Sequence, residues 1–293
     1  MTSRTPSILA TLAALLALGG PTRADAAVTH HAISSNWAGY AVSKPALRFR
    51  RVAGTWVQPS ASCAPGSRRY SAYWVGLGGF HSASGALEQI GTQVDCSSLG
   101  QAVYSAWYEL VPAGPVSIAL RVRPGDTLSA SVAVSGRTVR LRLADRTTGA
   151  VFAKQLTAKR VDVTAAEWIV EAPSKCDATR CKPLPLANFR TASFAGANVT
   201  TTAGLRGAIV DPAWAATAIT LSPYADRGIG TGLPLPGSSA EATPSVVSAT
   251  GDAFTVTYQD VPPAAPGPLP APPGPLPTAP GLPSTAPGPP PIG

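Results

Sequence analysis

Between Ser34 and Val261 the chain runs as a succession of short strand-like segments. Examples are NWAGYAV, VAGTWVQP, YSAYWVGLG, VYSAWYELV, TLSASVAVSG, TVRLRLAD, AEWIVEAP and LRGAIVD. Apolar and polar residues alternate along several of them, and turn formers such as Gly, Pro, Asp and Ser separate them. No amphipathic helix of normal length can be found. Strands of this kind must bury their apolar sides against one another, which predicts an all-β chain folded as an antiparallel β-sandwich of two sheets. Charged residues make up only 13% of the 293, about half the usual share. That balance, with 28 glycines and 31 prolines, suits an exported β protein better than a charged, helix-rich one.

Both ends of the chain read as separate from the sandwich. Residues 1–26 combine a basic residue, Arg4, with an apolar run from Ile8 to Leu18 and a small-residue site at Ala24-Asp25-Ala26. This is the pattern of a secretory signal peptide, and the run is too short to span a bilayer. Residues 27–33 are read as a short linker, and residues 34–261 as the domain. After Val261 the sequence becomes PPAAPGPLPAPPGPLPTAPGLPSTAPGPPPIG, without charge or aromatic residue. Glycine holds no strict third position there, so a polyproline-rich disordered tail is expected over 262–293 rather than a collagen helix.

Export makes the four cysteines candidates for disulfides. Cys176 and Cys181 are near enough in sequence to close a small loop, leaving Cys63 and Cys96 to pair across the glycine-rich YWVGLGGF region. A metal centre fits less well, because the only histidines are His30, His31 and His81 and no Cys-x-x-Cys occurs. The net charge of +8 raises nucleic acid as a partner. The basic residues are scattered, however, and Arg140 and Arg142 simply alternate with Val139, Leu141 and Leu143 on a half-buried strand. Neither nucleic acid nor a cofactor is expected, and the domain reads as a monomer acting on external substrates.

The chemistry is carried by strand parity. Side chains alternate across a strand, so Trp74 shares its face with Ala72, Gly76 and Gly78, while Tyr73, Val75 and Leu77 point the other way. A large aromatic beside bare backbone fits either a groove floor or a core tryptophan flanked by bulges. Ser105, Trp107 and Glu109 likewise share a face, as do Glu167, Ile169 and Glu171. The chain has only five glutamates, so two in the strand-like AEWIVE need a reason. Together with Trp74 they suggest an aromatic-lined concave face with carboxylates on it. No G-x-S-x-G, H-E-x-x-H, P-loop or dinucleotide fingerprint is present, so carboxylates, possibly assisted by an amide, remain for acid–base work.

The motifs SSNWAGY, YWVGLGG, ALEQIGT, AWYELVP, AEWIVE, PLANF and FTVTY occur in that order from Ser34 to Tyr258, and their order and spacing resemble the glutamic peptidase (eqolisin) family. The resemblance implies a concanavalin/lectin-like β-sandwich and an acid-acting endopeptidase with a glutamate–glutamine dyad. It places the dyad on Gln89 and Glu171, and the substrate-groove residues on Trp74 and Glu109. It also supports a Cys176–Cys181 loop after the catalytic strand, with Cys63–Cys96 as the second bridge. Two groove aspartates of the fungal members are replaced, by Gly78 and Ser105, and this chain is basic where those are acidic. A β-sandwich glycosidase using Glu109 and Glu171 and a non-catalytic sugar- or peptide-binding module are the competing readings.

Overall fold

The computed structural model describes residues 30–81, 85–177, 181–225 and 240–261. The segments read as a signal peptide and a Pro-rich tail lie outside them. Among the described residues every regular element is a β-strand. The first are β1 (His30–Ser34), β2 (Trp37–Ser43), β3 (Phe49–Val57), β4 (Tyr70–Gly78) and β5 (Leu87–Cys96). Next come β6 (Ala102–Val111), β7 (Val116–Ile118), β8 (Thr127–Ser135), β9 (Thr138–Asp145) and β10 (Val151–Thr157). Then follow β11 (Ala165–Glu171), β12 (Ser174–Cys176), β13 (Cys181–Pro183) and β14 (Thr191–Thr201). Last are β15 (Arg206–Ala208), β16 (Ala215–Leu221), β17 (Ala240–Pro244) and β18 (Phe254–Asp260). The sheet begins four residues before the Ser34 boundary read from the sequence, because β1 pairs with β16, in parallel.

The two layers are joined into one hydrogen-bonded ladder, ordered β10-β9-β8-β3-β14-β18-β17-β16-β2-β11-β4-β5-β6-β7. The ladder folds back on itself, so that β3, β8, β9 and β14 pack over β4, β5 and β11. Antiparallel pairing dominates, as the alternating sequences require: Leu128, Ala130, Val132 and Val134 of β8 are buried while the serines between them are not. Between the layers lies the main core, which includes Tyr73, Val75, Ile90, Trp56 and Trp168. The indoles inside it are hydrogen-bonded. The Trp168 indole donates to the Ala53 carbonyl at 2.8 Å, and Trp56 donates to Thr92, which donates to Gln58.

Strand β4 is buried along almost its whole length, although only one of its faces meets the main core. Its other face supports a second apolar cluster of Ala41, Ala72, Trp74, Leu87, Trp107, Ile169 and Ile219, with Trp37, Phe80 and Val111 packed on it. This cluster lies on the outer face of the β2-β11-β4-β5-β6 layer and forms the base of the site. Both bridges form, Cys63–Cys96 and Cys176–Cys181, the latter tying the β12–β13 hairpin just after β11.

Candidate active site

Strand register builds the site as three rows across five strands. The first row is Trp37, Glu171, Ala72, Gln93 and Ser105. The second is Gly39, Ile169, Trp74, Gly91 and Trp107. The third is Ala41, Glu167, Gly76, Gln89 and Glu109. The parity expected from the sequence therefore holds on β4, β6 and β11. Glycines make room for the central indole: a Cβ on Gly76 would stand 2.9 Å from Cζ3 of Trp74, and one on Gly91 would stand 2.6 Å from the Trp74 Cβ. Trp74 is fully buried and stacks edge-on with Trp37, ring centroids 5.0 Å apart. It underlies the site, while Trp37 and Trp107 form the aromatic surface above it.

Above this base is a groove of about 700 Å³, bordered by Trp37, Trp107, Glu109, Glu171 and the Cys176–Cys181 hairpin. Glu171, the last residue of β11, is half-buried at its floor. Its Oε2 accepts the Trp74 indole N–H at 2.8 Å, and its Oε1 accepts Nδ2 of Asn36 at 3.1 Å. Asn36 is in turn held by Ser34, whose hydroxyl donates to Asn36 Oδ1 at 3.2 Å and accepts the Trp37 backbone N–H at 3.1 Å. Burial raises the Glu171 carboxyl to about 7; the Trp74 N–H opposes this, the nearby Glu109 charge adds to it, and Trp37 and Asn36 lower it.

Gln89 is 4% exposed and lies behind Glu109, donating Nε2–H to Glu109 Oε2 at 2.7 Å. Its Oε1 is buried without a partner. The amide thus keeps one unused N–H and one unused acceptor. Burial raises the Glu109 carboxyl, and the Gln89 bond partly offsets the shift. Gln89 and Glu171 are not bonded to each other; by register they lie two strands across and four residues along, with Trp74 between them.

Profile comparison settles the relationship. The peptidase A4 sequence profile matches residues 35–225, most of the chain. The chain belongs to the peptidase A4 family. It is accordingly an endopeptidase of the glutamic peptidase type, and although both carboxylates of the glycosidase reading do reach the groove, membership in this family assigns peptide bonds as the substrate. Among solved structures the chain is similar to scytalido-glutamic peptidase with a transition-state analogue inhibitor, at 22% identity and a TM-score of 0.61, over 77% of this chain and 99% of that one. It is also similar to SCP-B, described as an eqolisin in complex with the tripeptide Ala-Ile-His, at 23% identity and a TM-score of 0.52, over 77% and 99%. These likenesses bear on the shared fold. No curated protein matches.

The departure at Gly78 has a structural reason. Gly78 has φ of 86°, and a Cβ there would fall 2.5 Å from the Asp162 Cβ, so Asp162 occupies the space that an aspartate at 78 would need. Asp162 belongs to a carboxyl cluster that the sequence reading missed. Glu88 and Glu167 are both fully buried, and Glu88 Oε1 and both Glu167 oxygens have no hydrogen-bond partner. Glu88 Oε2 accepts the Asp162 backbone N–H at 3.4 Å. Burial raises Glu88 to about 8, against the Asp162 N–H and with the Asp162 charge. Glu167 is raised well above its ordinary value by burial, with the charges of Asp162 and Glu88 adding to it. The two glutamates of AEWIVE thus have different environments: Glu171 opens on the groove, and Glu167 lies sealed beneath it. Asn36 was also missed, although its motif SSNWAGY was noticed; only the fold brings it to Glu171.

Proposed function

We propose that the chain is an exported, monomeric endopeptidase in which Glu171 is the general base and acid and Gln89 positions water and stabilises the oxyanion. Ionised Glu171 takes a proton from a water bound over the groove floor, and that water attacks the peptide carbonyl. For this the Gln89 amide, buried behind Glu109 in the free enzyme, turns toward the groove, where its Oε1 accepts from the water and an N–H of Nε2 donates to the developing oxyanion, a donor of a kind worth about 10²–10³ in rate elsewhere. Glu171 then passes its proton to the departing amine. Glu109 holds the amide from the far side and borders the substrate groove. Trp74 and Asn36 aim the Glu171 carboxylate, one N–H on each oxygen.

The observation that carries this reading is the environment of Glu171: groove-facing, gripped on both oxygens, and with its proton held up to about 7. A group that must accept and then donate a proton works best with a pKa near the working pH. Because the ionised carboxylate is the reactive base, kcat/KM should rise with pH through about 7, so the range of action begins near neutrality rather than deep in the acid range. The test compares Glu171→Gln, Gln89→Ala and Glu109→Gln on one peptide substrate from pH 3 to 8. Glu171→Gln should remove turnover by several orders of magnitude, Gln89→Ala should be severe, and Glu109→Gln should raise KM more than it lowers kcat. Near-normal kcat in Gln89→Ala with none in Glu109→Gln would replace the dyad by a pair of carboxylates.

A further inference from the structure

The outer face of the opposite layer carries a pattern that peptide hydrolysis does not use. Strands β15, β14, β3, β8, β9 and β10 lie side by side there, and their registers align one row across all six. The row reads Arg206, Thr200, Arg51, Ala133, Arg140 and Gln155. Guanidiniums thus recur on every second strand, about 10 Å apart at ordinary strand spacing. In the next row Arg142 stands between Ser131 and Ala153.

The only carboxylate on these six strands is Asp145, 1% exposed and held by Thr147 and Thr148. Arg51 donates to Asn198 and Arg140 to Gln155, so the cations are steadied by neutral amides rather than neutralised. Partial burial, and after it the charge of nearby Arg206, push the Arg51 guanidinium below its ordinary value. A bound anion would relieve it. Between β8 and β10 a shallow trough of about 410 Å³ is floored by Ser131, Ala133 and Ala153 and edged by Arg140, Arg142 and Gln155.

We propose that this face is a docking surface for an extended uronate-type polysaccharide, with sugar carboxylates seated on Arg206, Arg51 and Arg140. The cation spacing is close to the length of two sugar residues in an extended chain. Ser131, Thr55, Asn198 and Gln155 offer hydroxyl and amide partners to sugar hydroxyls. None of the six residues of the row is aromatic, so the row lacks the stacking platforms that single-stranded nucleic acid requires. The trough is edged by cations and floored by small side chains, and the one large apolar residue lining it, Leu141, is only 2% exposed, so it offers no apolar surface of the kind an interfacial lipid contact uses. The catalytic groove opens on the other outer face of the sandwich, so a docked enzyme keeps its groove free to meet peptide.

The test uses the full chain and polygalacturonate, with its methyl ester as an uncharged control, at several salt concentrations. Wild-type protein should bind the acid and not the ester, and binding should weaken as salt rises. Arg51→Gln/Arg140→Gln/Arg206→Gln should bind roughly tenfold more weakly or worse and show a shallower salt dependence, while hydrolysing a short peptide normally. Arg68→Gln/Arg121→Gln/Arg123→Gln carries the same charge change at exposed sites outside the row and should retain binding. Equal binding of acid and ester, equal losses in the two triple variants, or an unaffected row variant would each overturn the proposal. So would anionic vesicles or single-stranded DNA binding the row more tightly than polygalacturonate does.

Discussion

Replacing Glu88 by glutamine should make the protein more resistant to neutral and alkaline pH, and the size of the effect follows from where the carboxyl sits. Glu88 is fully buried, one oxygen has no partner, and its proton is held up to about 8. In the unfolded chain the same group ionises near its ordinary 4.5. A carboxyl whose folded value is raised costs nothing below about pH 4.5, because it is protonated in both states. Above that the unfolded chain gives up its proton while the folded one keeps it, and stability falls by about 1.4 kcal/mol per pH unit. The loss is complete once the pH passes about 8. From acid to pH 9 this amounts to about 5 kcal/mol from Glu88 alone, a large part of the 5–15 kcal/mol that holds a typical domain together. Glu88→Gln keeps the shape, removes the titration and takes one charge away from Glu167, which Glu88 helps to raise. Urea unfolding measured from pH 4 to 9 should show a wild-type stability that declines steeply above about pH 5. The variant should track it at pH 4 and exceed it by about 3 kcal/mol at pH 7. Parallel curves, with the same slope in both proteins, would falsify the assignment of that slope to the buried cluster.

Four further outcomes follow from the same geometry. Trp74→Phe removes the N–H donor on Glu171 Oε2, so the rising limb of kcat/KM should move up by about one pH unit, as expected for a bond to a charged group worth about 1.5 kcal/mol. Glu109→Gln removes a charge that raises Glu171, so the same limb should move down; a limb that stays put would uncouple the two carboxyls. Glu167→Gln should leave kcat nearly intact but change the pH dependence of unfolding, since its carboxyl is sealed away from the groove, and a collapse of kcat would place it in the reaction. Deleting the chain after Val261 should leave activity and melting temperature nearly unchanged, and a large fall in melting temperature would show the tail to be part of the fold.

Much of this protein is written locally. A strand alternates its side chains with period two whatever lies beside it, so the residues of the groove face could be assigned from parity alone. Trp74, Trp107, Glu109, Glu167 and Glu171 all point as their positions in YSAYWVGLG, VYSAWYELV and AEWIVEAP require. The two disulfides were likewise legible from spacing and resemblance, and both form. Parity cannot say which residue of one strand stands opposite which residue of another. That register is set by packing between segments far apart in the chain, and it decided three things. It placed Gln89 beside Glu109 rather than against Glu171. It brought Asn36 and Trp74, 135 and 97 residues away, onto the two oxygens of Glu171. It also closed Glu88, Asp162 and Glu167 into one buried group, and that low-dielectric enclosure, absent from any local pattern, is what separates two glutamates four residues apart into one that meets the groove and one that does not.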